Sequence, residues 1–424
     1  RDWKRSGHGW VDMPEAIYRS SDVYFYKLGL KLGIDNIHRY GDLFGLGSRT
    51  GIDLPRENSG IMPSRAWKNG TRNQPWFPGE TLNTIIGQGF MTTTPLQLAQ
   101  MTSRIAERGG GILNSAKALQ AMGEDELFDD ALKRVHYAIS QGVGAMEIKS
   151  GYGLTLDAER KMLRIIARLK EAAPIPIKAT FLGCHAVPPE FEDAATYTHH
   201  VVKDMLPAFA AEGLVDYVDA FCEKGYFGVD ETRTLLDASN ELGIKCKVHV
   251  NQFNEIGGVE LCVNQNALSV DHLEVCGSEA IQSLIEGFER AEDGEGLPTY
   301  PVALPGCSHF LSIPYTPGRA LIDAGLPLVL ATDHNPGSAP SGDMTMAVRL
   351  ASLKMGVLPR EAVAAATLNG AAAMELSEEV GAIGRGHRAN LILTHPMEGL
   401  QDIAYRFTDA VVDKVFINGE IWEG

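Results

Sequence analysis

From about residue 125 the chain alternates between helical hydrophobic periodicity and short continuous apolar runs. An amphipathic stretch from Asp125 to about Gln141 precedes a first apolar run, Ala145 to Ile148. Further strand-like runs follow at Ile175 to Leu182, Val215 to Phe221, Lys245 to Val250, Ala267 to Val270, Tyr300 to Leu304 and Leu326 to Ala331. Helical patterns separate them, at Leu156 to Glu171, Thr196 to Ala211, Asp230 to Leu242 and Gly277 to Ile285. Strands alternating with helices at this spacing predict βα units around a parallel sheet. Seven in a row favour an α/β fold of the (β/α)8 TIM-barrel type over a doubly wound sheet, with one strand missing. From Gly381 onward, Ala389 to Leu393 and Val415 to Ile421 read as short strands of a partial small β-sandwich domain.

Residues 1–110 follow no such rhythm. Short helical patterns alternate there with turns such as Gly45 to Gly51 and Trp76-Phe77-Pro78-Gly79. A helix is predicted from Pro95, with Thr94 as N-cap and Leu96, Leu98, Ala99, Met101 and Ile105 as its apolar stripe. It stops at Gly109-Gly110-Gly111, which sets the expected boundary. The expected domains are therefore 1–110, a barrel over 111–380 and a C-terminal β segment over 381–424.

Composition sharpens that division. The chain of 424 residues carries a formal charge of −16, yet residues 1–110 hold 14 Lys and Arg against 10 Asp and Glu. Four of the five Trp lie in that first part; all six Cys and ten of the twelve His lie in the second. The two parts thus read as unrelated pieces. The acidic bulk argues against nucleic acid or an anionic membrane as partner. No run approaches the roughly 18 to 20 uncharged apolar residues of a membrane span. The chain opens at Arg1 rather than Met, so its natural N-terminus is expected upstream. The cysteines form no Cys-x-x-Cys pair and sit in apolar runs such as Asp219-Ala220-Phe221-Cys222, the pattern of reduced, buried thiols in a cytoplasmic protein.

Polar residues follow each barrel strand: Lys149 and Tyr152, His185, Glu223, His249, His272, Ser308, and Asp333 with Asn335. The C-terminal strand ends are where a barrel builds its active site, so these side chains should converge on one face. Three His and an Asp in such positions suit a zinc or ferrous ion.

The phrases Glu147-Ile148-Lys149-Ser150-Gly151-Tyr152-Gly153-Leu154, Phe181-Leu182-Gly183-Cys184-His185, Lys247-Val248-His249-Val250-Asn251-Gln252-Phe253, Asp271-His272-Leu273-Glu274 and Ala331-Thr332-Asp333-His334-Asn335-Pro336-Gly337-Ser338 come in this order. Through them the region from about 110 to 424 resembles the imidazolonepropionases of the amidohydrolase superfamily. That resemblance implies hydrolysis of the ring amide of 4-imidazolone-5-propanoate, a small-molecule substrate, to N-formimidoyl-L-glutamate in histidine breakdown. It also implies one Zn2+ or Fe ion per chain and a possible homodimer. Such an ion lowers the pKa of bound water from about 15.7 to about 7. By the resemblance, His249 and Asp333 are metal ligands, Asp333 also accepts a proton, and His272 and Gln252 polarise or protonate near the scissile bond. His185 and Tyr152, with Gln252, would hold the ring; Asn335, Gly337 and Ser338 would receive the carboxylate. Members carry a His-x-His pair on the first barrel strand, and this chain has none. The missing strand is therefore expected to be the first, with half the metal site, leaving weak metal binding and little or no activity.

Residues 1 to about 110 resemble an internal, α+β piece of the transpeptidase domain of class B penicillin-binding proteins, close to penicillin-binding protein 2, a periplasmic domain. The resemblance rests on Ser20-Ser21-Asp22-Val23-Tyr24-Phe25-Tyr26, Gly45-Leu46-Gly47, Thr50-Gly51-Ile52-Asp53-Leu54-Pro55 and Ile86-Gly87-Gln88-Gly89. Ser20 and Asp22 would match its Ser-x-Asp motif. Acyl transfer also needs a Ser-x-x-Lys nucleophile, which this chain lacks. Three readings stay open: two fragments joined artificially, a cell-wall binding module fused to a decayed enzyme, or a barrel completed by another chain.

Overall fold

The computed structural model describes residues 8–50, 57–105 and 112–423. The chain divides into two units, Arg1–Gly111 and Ile112–Gly424. The glycine run Gly109-Gly110-Gly111 and residues Gly51 to Pro55 of the transpeptidase-like phrase lie outside the described residues.

In the first unit the described residues form helices Met13–Tyr18, Asp22–Leu43, Arg65–Arg72, Pro78–Ile85 and Pro95–Ile105, with an antiparallel bridge between Ile61 and Thr92. The predicted cap is present: Thr94 Oγ1 accepts from the Gln97 amide at 3.2 Å while Gln97 Oε1 accepts from the Thr94 amide at 3.0 Å. Gly29 lets the long helix close on Pro78–Ile85, since a Cβ there would meet Ile85 Cγ2 at 2.9 Å. Ser20 sits at φ 51° in the joint between the first two helices, Ser21 is the N-cap of the second, and Asp22 opens its first turn. A carboxylate there complements the positive end of the helix.

The second unit is built around one parallel sheet of seven strands in chain order. They are β1 (Met146–Lys149), β2 (Ile177–Cys184), β3 (Tyr217–Cys222), β4 (Lys245–Val250), β5 (Ser269–His272), β6 (Tyr300–Ala303) and β7 (Val329–Leu330). Helices such as Leu156–Ala172, Val229–Glu241 and Ser278–Glu292 return the chain between them. The apolar runs placed β4 at its observed bounds, but β2, β3 and β5 begin two residues later than predicted. The lead-in residues pack before the ladder starts: Ile175 and Ala267 are buried in the turns that enter β2 and β5. The predicted helix Thr196 to Ala211 is an α-helix, Ala194–His200, a π-helical turn, Val201–Met205, and a second α-helix, Leu206–Ala211. Pro207, which has no N–H to donate, falls just after the widened turn.

Among the described residues β1 and β7 each have one neighbour, so the sheet ends on two edges. The residues of β1 are all half-buried, whereas every residue of β3 is buried. An eighth strand, paired to β1 and β7, would cover both edges and close the barrel. Beyond the barrel, β8 (Leu391–Thr394), β9 (Val412–Ile417) and β10 (Glu420–Ile421) form an antiparallel sheet in the order β10-β9-β8. Val415 and Ile417 join the same apolar core as Phe181, Val248 and Val270. All six cysteines are free, and five are buried while Cys276 is half-buried. No helix among the described residues is long and apolar enough to cross a membrane.

Candidate active site

The site is assembled where strands end. His249 lies in β4, His272 closes β5, and Asp333 follows β7 by three residues. Their ligating atoms lie within 4.8 Å of one another, and the two imidazole centroids are 5.1 Å apart. The backbone is held in uncommon conformations to achieve this: φ is +87° at His272, +63° at Leu273 and +55° at Asp333. Non-glycine residues in such regions cost about 1–3 kcal/mol each and persist only where the surroundings fix them. Thr316 Oγ1 donates to the His272 carbonyl at 2.5 Å, and the Leu273 amide donates to Val250 of the neighbouring strand at 3.3 Å.

Each imidazole has a distinct environment. His249 Nδ1 lies 2.9 Å from Asp219 Oδ2, and its backbone amide donates to Asp219 Oδ1 at 3.2 Å. Asp219 is buried, which raises a carboxyl pKa, but the charges of His249 and Lys149 outweigh burial and hold it below its usual range. His272 is buried too; burial opposes its charge, yet hydrogen bonds to Cys307 and Glu274 and the charges of Glu274 and Asp333 lift its pKa well above the usual value. His185 behaves oppositely. Burial pushes it down to about 4, so it is neutral near pH 7, and its Nδ1 carries the proton donated to the Gly151 carbonyl at 2.9 Å. Its ring meets Tyr152 edge-on, with centroids 5.1 Å apart. Burial, then the Asp333 charge, push the Tyr152 phenol up to about 12.

Asn335, Gly337 and Ser338 form one turn after Asp333. Asn335 Oδ1 accepts from the Gly337 and Ser338 amides at 2.8 and 2.7 Å, while its Nδ2 donates to the Asp333 carbonyl at 2.7 Å. The two amides expected to meet a carboxylate are thus engaged by the turn itself. The Ser338 hydroxyl donates to Asp333 Oδ2 at 3.4 Å. Gln252 Nε2 donates to Cys307 Sγ at 3.3 Å. Glu223, another strand-end residue, does not face the group: its carboxylate accepts from the amides of Lys224, Phe253 and Asn254 and from Asn254 Nδ2, pinning the loop after β4.

Beside the site lies a charged group of which sequence reasoning singled out Lys149 alone. Lys149 Nζ lies 2.8 Å from Asp219, 3.1 Å from Asp271 and 3.0 Å from Glu147, while Lys247 Nζ pairs with the other oxygen of Glu147 at 2.5 Å. The available signal was a charge within an otherwise apolar strand, as at Asp219 in β3.

A parallel barrel sheet carrying His and Asp donors at its C-terminal strand ends defines the class of metal-dependent barrel hydrolases. Comparison with known proteins agrees. Residues 118–422 match the amidohydrolase family, and residues 1–117 match the penicillin-binding protein transpeptidase domain. The imidazolonepropionase of Christiangramia forsetii is 52% identical over 318 residues, covering 75% of this chain and 75% of that protein. An adenosine deaminase from Xanthomonas campestris, solved with bound zinc, is 14% identical over 75% of this chain and 74% of its own, with a TM-score of 0.54, and shares the fold. The PBP2 of Pseudomonas aeruginosa, solved in complex with WCK 5153, is 53% identical over 25% of this chain and 23% of its own, with a TM-score of 0.24. The chain belongs to the amidohydrolase family, as an imidazolonepropionase-like hydrolase of cyclic amide C–N bonds joined to a transpeptidase-domain segment.

Proposed function

We propose that the barrel unit carries the site of an imidazolonepropionase, which adds water to the ring amide of 4-imidazolone-5-propanoate and breaks its C–N bond to give N-formimidoyl-L-glutamate. The observation that carries this reading is the convergence of His249, His272 and Asp333 beside the edge-stacked pair Tyr152 and His185. One aliphatic carboxylate and one flat heterocycle are the features such a site must hold. His249 and Asp333 would hold a divalent ion, and their nitrogen and oxygen donors suit zinc or ferrous iron. When bound, that ion supplies a strong nucleophile from water at neutral pH and polarises the carbonyl. His272, charged and buried, delivers a proton to the departing ring nitrogen. Asp333 takes the proton released by the attacking water. Neutral His185 and Tyr152 clamp the ring by edge and face, and Gln252 steers the carbonyl with its amide. Asn335, Gly337 and Ser338 receive the propionate once Asn335 Oδ1 gives up the two amides it now holds.

The chain supplies no His-x-His pair, so as it stands we expect it to bind metal below one ion per chain and to turn over poorly. The reading places the barrel part in a reducing, cytoplasmic setting, consistent with six free cysteines. Extending the barrel unit at its N-terminus with the first strand of a relative tests the proposal. The expected result is about one ion per chain and loss of the imidazolone absorbance on incubation with substrate, both abolished by His249→Ala. A completed protein that holds its ion and leaves 4-imidazolone-5-propanoate intact overturns the reading.

A further inference from the structure

A second donor cluster lies against the first. We propose that Cys307, His272 and Glu274 form a site for a thiophilic divalent cation of the zinc or cadmium kind, separate from the His249 and Asp333 pair. Their sulfur, nitrogen and carboxylate donors all lie within 4.8 Å of one another. Cys307 is fully buried, His272 is 3% exposed and Glu274 is 5% exposed. One carboxylate oxygen of Glu274 is occupied: Oε1 accepts from Ser308 Oγ at 3.0 Å and lies 3.3 Å from His272 Nδ1. The other, Oε2, is buried with no hydrogen-bond partner. A buried carboxylate oxygen left unpaired is the exception in folded proteins and needs an explanation such as an absent ion or water.

The chemistry of the set is selective. Thiolate sulfur with imidazole and carboxylate is a donor combination for zinc-like ions and a poor one for magnesium or calcium. Around an ion with bonds of about 2.0–2.3 Å, donors in a tetrahedron stand about 3.5 Å apart, so small side-chain rotations close the shell from its present spacing. As the bonds to the metal form, the Cys307 thiol and the charged His272 imidazole each give a proton to solvent, and the Gln252 amide, 3.3 Å from the sulfur, donates to the sulfur that becomes negative. Of the six cysteines, only Cys307 belongs to such a donor group among the described residues. The site stands on geometry and does not depend on the hydrolytic reading. An ion held there would, however, claim the imidazole that the reading uses as its acid.

Cadmium titration of the full chain, followed by the ultraviolet thiolate-to-cadmium charge-transfer band, is the test. A band that saturates at one ion per chain is expected, lost in Cys307→Ser and kept in Asp333→Asn. Glu274→Gln should weaken cadmium binding by about tenfold or more with the band retained at saturation. X-ray absorption of the cadmium-loaded parent, which needs no variant, should show one sulfur with nitrogen and oxygen neighbours. A parent without the band, a band that survives Cys307→Ser, or a shell without sulfur or with several sulfurs overturns the proposal.

Discussion

Replacing Glu147 by Gln removes one charge from the interior of the barrel and leaves its shape nearly intact. The wild-type carboxylate bridges Lys149 at 3.0 Å and Lys247 at 2.5 Å and accepts from Thr180 Oγ1 at 2.6 Å. Lys149 would keep Asp219 and Asp271, but Lys247 would keep only the Ala373 carbonyl at 3.2 Å and the face of Tyr217, 5.4 Å away. The Lys247 side chain is 4% exposed, so water cannot take over the lost role. Breaking a buried pair by removing one partner costs about 3–5 kcal/mol, whereas replacing both by neutral groups of similar volume is often close to neutral. Glu147→Gln should therefore destabilise the barrel by about 3 kcal/mol or more. Glu147→Gln combined with Lys247→Met should return to within about 1–2 kcal/mol of the parent, well short of the two single variants added together. The assay is hydrogen exchange of the full chain in urea, read on peptides covering β2 and β4, because those strands report the barrel and not the first unit. Acid adds a signed check. Burial pushes the Glu147 carboxyl up, but Lys149 and Lys247 together hold it well below its usual range. Its contribution is then complete above an unfolded pKa of about 4.3 and is lost as pH falls toward the folded value. A single variant costing under about 1 kcal/mol, or a double variant as unstable as the two singles added, refutes the reasoning.

Two further outcomes follow from the same structure. Glu159 is fully buried and accepts from the amides of Gly151, Gly153 and Leu154 at 2.9, 2.6 and 2.9 Å, so Glu159→Ala should cost about 3 kcal/mol in chemical denaturation and release the loop that carries Tyr152; a change under about 1 kcal/mol would contradict this. Among the described residues β1 and β7 each pair with one strand only, so the barrel unit should self-associate with rising concentration in light scattering, and adding the missing strand should suppress it. Monodisperse, cooperatively unfolding barrel unit without that strand would count against an open sheet.

The fold was legible to the extent that local rules govern it. Apolar runs bounded by amphipathic helices named all seven strands, and Thr94 with Pro95 marked a helix start that the Gln97 hydrogen bonds confirm. Strand ends were less sharp: Leu326 to Ala331 reads as one apolar run, yet only Val329 and Leu330 pair, with Val302 and Ala303 of β6. For the site, position after a strand singled out His185, His249, His272 and Asp333, and the structure brings the last three together. The same rule also singled out Glu223, which turns back to cap a loop. Nothing local separates a carboxylate that faces the barrel mouth from one that satisfies nearby amides.

What the sequence alone determined is the order of βα units, the absence of a His-x-His pair and the presence of two unlike segments, because periodicity, motif and composition are properties of neighbouring residues. Tertiary structure decided which charges meet. Lys149 and Asp271 are 122 residues apart in the chain and 3.1 Å apart in space, and Gln252 reaches Cys307 across 55 residues. Inward side chains of different strands are stacked into layers by the stagger of the curved sheet, and that stagger is set by backbone pairing between strands. Which residues share a layer, and hence which imidazole is charged and which is neutral, is therefore fixed only when the strands are in register.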